Sequence, residues 1–189
     1  MKRWLMISNR LPVSKDASTR EIKLSSIGLA LALGGIRNGI PKLWIGLEPR
    51  EAGDPSPALT GKEGEIEYRG VTVDAGLYDR YYNGISNDVL WPLFHYGGGL
   101  VHFNSEDRDA YVRMNELLAD AIAGEARDDE SVWIHDFHLF LLPAMLRKRK
   151  PSLHIGFFLH IPRLRDLSPA SCARRDLAGY HGRRSDRIS

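Results

Sequence analysis

Apolar residues along this chain fall into short continuous runs, separated by stretches with helical spacing. Residues 4–8 (WLMIS), 43–46 (LWIG), 132–135 (VWIH) and 155–160 (IGFFLH) are such runs. Each has the length of a strand and no alternation, which predicts a strand buried on both faces. Residues 27–36 (IGLALALGGI) are small and apolar and predict a tightly packed helix, ended by Gly34, Gly35 and Gly39. Residues 14–26 and 48–64 are polar and predict irregular or loop structure, and residues 65–76 predict a hairpin or two short strands around Arg69-Gly70. In residues 79–96 Pro92 predicts a break between two short helices. Residues 106–122 carry Tyr111, Met114, Leu117, Leu118 and Ile122 on one helical stripe, with Gly124 as a stop. Residues 139–149 predict a helix with a basic last turn, closed by Pro151. Buried strands alternating with helices point to an α/β fold, a mostly parallel sheet covered on both faces.

Composition narrows the class. The chain has 189 residues, 43% hydrophobic and 26% charged, enough for one ordinary globular domain. It holds no apolar run of about 18 residues, so no membrane-spanning helix is expected. The start, MKRWLMISNRLP, is too short in its apolar part for a secretory signal. A single cysteine, Cys172, excludes an internal disulfide framework and any multi-cysteine metal site, and a cytoplasmic protein is expected. The net charge of +2 is uneven: residues 163–189 hold seven Arg, three Asp, no Lys and no Glu. The body is therefore slightly acidic and gives no electrostatic reason to expect nucleic acid. The tail shows neither strand nor helix period and is expected to be irregular.

Candidate chemistry sits where the predicted strands end, since open α/β sheets bind ligands at the carboxyl ends of their strands. The first cluster is Ser8-Asn9-Arg10, followed by Gly28 at a predicted helix start. Arg10 is either a bidentate phosphate clamp or a solvated side chain, and Gly28 either faces an anion or merely packs. The second cluster runs from Tyr81-Tyr82-Asn83-Gly84 through Asn87 and Leu90-Trp91-Pro92 to Phe94-His95-Tyr96. Its rings form either a core plug or a wall for sugar faces. The third is His135-Asp136-Phe137-His138, with His160 ending the next strand. No further ligand lies at metal-binding spacing, so a polar strand end is the better reading: Asp136 accepting from a ligand hydroxyl, His160 donating or accepting. Structural histidines are the alternative for His135 and His138.

Taken in order, S8-N-R-L-P-V, Y81-Y-N-G-I-S-N-D-V-L-W-P-L-F-H-Y, W133-I-H-D-F-H-L and I155-G-F-F-L-H-I-P resemble the trehalose-6-phosphate synthase family, retaining glucosyltransferases of GT-B fold. The resemblance covers residues 4–162. It implies that residues 1–162 form the Rossmann-like acceptor-binding domain of an enzyme moving glucose from UDP-glucose to glucose 6-phosphate, with residues 163–189 forming no domain. By motif position, Arg10 would bind the acceptor phosphate, and Tyr82 and Trp91 would line the acceptor sugar. Asp136 would hold its hydroxyls, and His160 would contact the donor glucose near the scissile bond. The turn at Ile27-Gly28 would face the donor. No metal or other cofactor is implied. The family mechanism is front-face displacement with retention, the leaving phosphate helping to deprotonate the acceptor.

Two departures from the family stand out. Ile27-Gly28-Leu29 occupies the place of a Gly-Gly-Leu turn, and a β-branched Ile there is expected to weaken donor binding. After His160-Ile161-Pro162 the sequence turns Arg-rich and unlike the family, as a shifted reading frame or an aberrant gene end would make it. The cations that would stabilise the leaving pyrophosphate belong to the family's other half, so little or no transfer by the chain alone is expected. Two other readings remain at this level. One is a non-catalytic sugar-phosphate-binding or regulatory partner, self-associating or joined to full-length synthases. The other is a fragment of a glucosylglycerol-phosphate synthase, whose acceptor would be glycerol 3-phosphate.

Overall fold

The computed structural model describes residues 3–15, 22–24 and 39–161. The predicted helix at 27–36, with Ile27 and Gly28, and the tail at 163–189 lie outside these residues. One six-stranded sheet organises the rest, in the order β5-β6-β4-β1-β7-β8. Its strands are β1 (Trp4–Arg10), β4 (Lys42–Arg50), β5 (Thr60–Glu63), β6 (Ile66–Asp74), β7 (Ser131–His135) and β8 (His154–Phe158). All neighbouring pairs are parallel except β5, which runs antiparallel along the edge beside β6. A separate antiparallel pair joins β2 (Val13–Lys15) to β3 (Ile22–Leu24), where irregular chain was expected.

The continuous apolar runs mark the middle of the sheet. Leu5, Ile7, Leu43, Ile45, Val132 and Ile134 are fully or almost fully buried on one face, against the helices. Met6, Trp44 and Tyr68 are buried on the other face. The longest helix described, α3 (Ser105–Glu125), starts at an Asn104 cap whose side chain accepts from the Glu106 N–H. It presents Tyr111, Met114, Leu118 and Ile122 to the sheet, the stripe its spacing predicts. Burying each such side chain stabilises the fold by about 1.5–3 kcal/mol.

Several expectations need correction. Residues 48–64 are not all loop, because β4 runs on to Arg50 and β5 occupies Thr60–Glu63. The hairpin turn is not at Arg69-Gly70. It lies at Gly64, whose φ of +58° suits glycine, and β6 passes unbroken through Gly70. Gly70 serves a close approach instead: a Cβ there would meet Glu48 Oε2 at 2.5 Å, and its N–H donates to Leu59 O at 2.7 Å. The third correction is at Pro92. Helical backbone is continuous from α1 (Ala75–Asp79) through a π-helical stretch (Arg80–Leu90) into α2 (Trp91–Phe94). The Trp91 N–H already bonds to Ser86 O five residues back, so Pro92 falls in the first turn of the next segment, where an N–H is dispensable. The basic helix is likewise split into a 3₁₀ turn (Phe137–Leu139) and α4 (Leu142–Arg149).

The fourth correction is β8. Its apolar sequence predicts a doubly buried strand, yet Gly156, Phe157 and Phe158 are exposed, because β8 is the sheet edge. Phe158 O accepts from the Asp136 N–H, so in this parallel pair Ile155 and Phe157 turn their backbone groups outward. An open groove of about 690 Å³, lined by Trp4, Trp133, His154 and Gly156 among others, lies beside the start of β8.

The end of β1 is shaped by Gly46. The register shifts between Ser8 and Arg10, and a Cβ on Gly46 would stand 2.5 Å from Leu11 N and 2.7 Å from the Arg10 carbonyl carbon. Gly46→Ala is therefore expected to destabilise by about 1–3 kcal/mol. Gly124→Ala, where a Cβ meets nothing within 4 Å inside α3, is expected to gain about 0.5 kcal/mol. Urea unfolding of both variants checks the two opposite signs.

Candidate functional site

Those of the residues singled out above that are described sit at the carboxyl ends of β1, β7 and β8 and on the helical segment following β6. At the end of β1, Ser8 Oγ accepts from the Trp44 Nε1–H at 2.8 Å and donates to Arg10 O at 2.6 Å, which fixes the bulge before Arg10. Arg10 Nε donates to the Tyr78 hydroxyl at 2.9 Å. Its guanidinium carbon lies 5.0 Å from the Tyr78 ring centre and 5.7 Å from that of Tyr82. Only Nε is used, so the Nη groups of this exposed side chain have no partner among the described residues.

Asn9 ties the same strand end to the same helix. Its Nδ2 donates to the Tyr78 hydroxyl at 2.9 Å, and its Oδ1 accepts from Tyr78 at 3.2 Å and Tyr81 at 3.1 Å. Tyr78 and Tyr81 can do this because positions i and i+3 share one helical face, and Tyr82 at i+4 stacks on Tyr78. Burial pushes the Tyr78 hydroxyl above its ordinary pKa, although the Arg10 charge opposes the shift. Burial pushes Tyr81 well above its ordinary value. Both hydroxyls therefore stay protonated and available as donors.

A line of rings then leads to the end of β7. Tyr78 stacks on Tyr82 at 5.6 Å and 14°, and Tyr82 on His138 at 5.5 Å and 7°. His138 stacks on Phe137 at 4.1 Å, and Phe137 lies 5.9 Å from Trp91. Asp136 breaks the chain direction with a φ of +78°, a conformation costly for a residue with a Cβ. It is held there by its N–H to Phe158 O at 2.8 Å and by its Oδ1, which accepts from the Phe137 N–H at 2.9 Å. Oδ2 stands 3.9 Å from His138 Nδ1, so this partly exposed carboxylate keeps acceptor capacity for a ligand. His160 reaches back to the same strand end, its Nε2 lying 3.1 Å from His135 Nδ1.

Arg10, Tyr82, Trp91 and Asp136 are thus linked through intervening ring contacts, and His160 joins at the residue before Asp136. The aromatic cluster is not uniformly buried. Tyr81 is buried core, whereas Tyr82 is half-buried and Trp91 is 48% exposed. Tyr78 was not among the predicted candidates, and its only sequence signal is the Y-x-x-Y-Y spacing. Ile27 and Gly28 fall outside the described residues. No three His, Cys, Asp or Glu side chains converge on a point among the described residues. No helix among them is long and apolar enough to cross a membrane.

Sheet order and connectivity define a Rossmann-like α/β fold, a mostly parallel sheet with polar groups at its strand ends. The model of glycosyltransferase family 20 matches residues 2–163, and the chain belongs to that family. It is 40% identical over 169 residues to an α,α-trehalose-phosphate synthase (UDP-forming) of Aspergillus niger, covering 85% of this chain and 33% of the relative. It is 39% identical to a trehalose-6-phosphate synthase of Escherichia coli, covering 86% and 33%. A solved E. coli structure described as bound with UDP-2-fluoro glucose superimposes with a TM-score of 0.72 at 34% identity, covering 91% of this chain and 37% of that one. A Burkholderia xenovorans synthase in complex with glucose 6-phosphate gives 0.71 at 29%, covering 94% and 38%. The chain thus spans about a third of the length of these relatives.

Two buried imidazoles give the site a pH signature. Burial lowers His135 to about 4, helped by His160, and lowers His138 to about 4 against the opposing charge of Asp136. In the unfolded chain both titrate at about 6.5. Between these values the unfolded chain binds protons that the folded chain refuses, so stability is lost as pH falls from ~6.5 towards 4. Urea unfolding at about pH 7.5 and about pH 5 is expected to show this loss, with a smaller loss for His138→Phe. Equal losses for the two proteins would contradict it.

Proposed function

We propose that this chain carries the acceptor-binding half of a UDP-forming trehalose-phosphate synthase and holds glucose 6-phosphate at the Arg10–Asp136 site. The observation that carries this is Arg10: its Nε is spent on Tyr78, and its Nη groups have no protein partner among the described residues. A guanidinium fixed in this way presents a planar pair of donors to a phosphate. The hexose ring then lies along Tyr82 and Trp91, whose faces cover its apolar side. Asp136 accepts from sugar hydroxyls. Membership of the family and the bound ligands named for its solved relatives support this reading.

In the complete reaction the bond between the donor sugar's anomeric carbon and the diphosphate oxygen of UDP-glucose breaks. A bond from that carbon to the acceptor's anomeric oxygen forms on the same face. The proton leaves the acceptor hydroxyl for the departing diphosphate. Asp136 and Arg10 orient the acceptor for this step, and His160 touches the donor sugar beside the scissile bond. Ile27 and Gly28, outside the described residues, are assigned to donor binding by motif position alone.

Calorimetric titration of the purified chain with glucose 6-phosphate tests the acceptor site. Saturable binding is expected, weakened about 10–100-fold by Arg10→Ala, the range for losing a charge-assisted phosphate contact. Glucose 6-phosphate is expected to outcompete glycerol 3-phosphate; the reverse order would favour the glucosylglycerol-phosphate reading. Absence of binding, or binding indifferent to Arg10→Ala, would overturn the assignment. A second reading, a sugar-phosphate-binding partner of full-length synthases, is favoured by the β8 edge, unpaired among the described residues, and its exposed Phe157 and Phe158. Co-purification with an intact synthase, abolished by Phe158→Lys, would support it.

A further inference from the structure

His135 is a buried titratable side chain that the proposed reaction leaves unused. It ends β7 with no exposure, between the rings of Trp133 at 4.6 Å and Phe158 at 6.5 Å. Its only polar partner among the described residues is His160, through Nδ1 and Nε2 at 3.1 Å, with the two rings 5.3 Å apart and 29° from parallel. Its own Nε2 is buried without any partner among the described residues. His160, by contrast, is exposed, and its Nδ1 is bonded to no described residue.

We propose that His135 is a positioning residue for His160: its Nδ1–H donates to His160 Nε2, so the exposed ring offers an Nδ1–H to a hydroxyl oxygen of the donor sugar. The tautomers follow from the burial. A neutral imidazole carries one N–H and one bare nitrogen. Desolvation keeps His135 neutral, lowering it to about 4. Were its proton on Nε2, a buried N–H would be left unsatisfied, the rarer kind of orphan in folded proteins. With the proton on Nδ1, the one hydrogen bond available is made, and the bare nitrogen takes the unpaired position. His160 Nε2 must then accept, which forces its proton onto Nδ1, where water or a ligand oxygen satisfies it. The ring contacts with Trp133 and Phe158 hold the imidazole plane that makes this bond.

The sugar-facing role rests on His160 being the donor-side contact, but the tautomer is read without any sugar. Two-bond 1H–15N spectra of the full 189-residue chain labelled in histidine, at about pH 8, test it directly. His160→Gln assigns the signals. His160 is expected in the Nδ1–H form in the unaltered chain, and in the Nε2–H form usual for free imidazole in His135→Phe. His135→Asn, whose amide N–H falls close to the lost Nδ1–H, is expected to restore the Nδ1–H form. A His160 found as Nε2–H in the unaltered chain, or unmoved by His135→Phe, would overturn the proposal. Should the Phe variant fail to fold, the unaltered spectrum alone decides. Loss of glucose 6-phosphate binding would leave this outcome untouched, so the two readings fail separately.

Discussion

The site hangs on the hydroxyl of Tyr78. That one oxygen accepts from Asn9 Nδ2 and Arg10 Nε, both at 2.9 Å, and donates to Asn9 Oδ1 at 3.2 Å. It satisfies the polar end of β1 in a place where burial makes an unpaired group costly. It also sets which part of the guanidinium remains free. From the same ring the stack through Tyr82 and His138 runs to Asp136, so a single helical face relates the ends of two strands. The close approach at Gly46 completes the arrangement by letting the backbone of Arg10 and Leu11 cross β4.

The wide helical turns from Arg80 to Leu90 belong to this constraint. A π-helical stretch shifts the register of side chains along the helix relative to α-helical spacing, and such stretches occur frequently at functional sites. Here the stretch begins just after Tyr78 and carries Tyr81 into the core and Tyr82 to the rim. It also delivers Trp91 to the surface beside Phe137. At the end of β7, the strained φ of Asp136 turns its carboxylate out of the strand line, held by two backbone hydrogen bonds.

Much of this was legible in the sequence where a single local rule decides. Continuous apolar runs locate β1, β4 and β7, because both faces of a central parallel strand are covered. The stripe of Tyr111, Met114, Leu118 and Ile122 locates α3. Arg10 and Asp136 stand at the ends of β1 and β7, where the strand-end rule directs the search for chemistry. What the sequence hides is non-local. The run at residues 155–160 looks like β7, and only the sheet order makes it an edge. Gly70 looks like a turn, and only the carboxylate of Glu48 beside it explains the glycine. Tyr78 and Asn9 lie far apart in sequence, and no spacing rule pairs them.

If glucose 6-phosphate is held as proposed, Tyr78 acts on its phosphate only through the orientation of Arg10. A double-mutant cycle on glucose 6-phosphate affinity, using Tyr78→Phe, Arg10→Ala and both together, tests it most directly. Tyr78→Phe is expected to weaken binding by itself but to add nothing once Arg10 is gone. Losses that simply add, or a Tyr78→Phe variant binding as tightly as the unaltered chain, would contradict it.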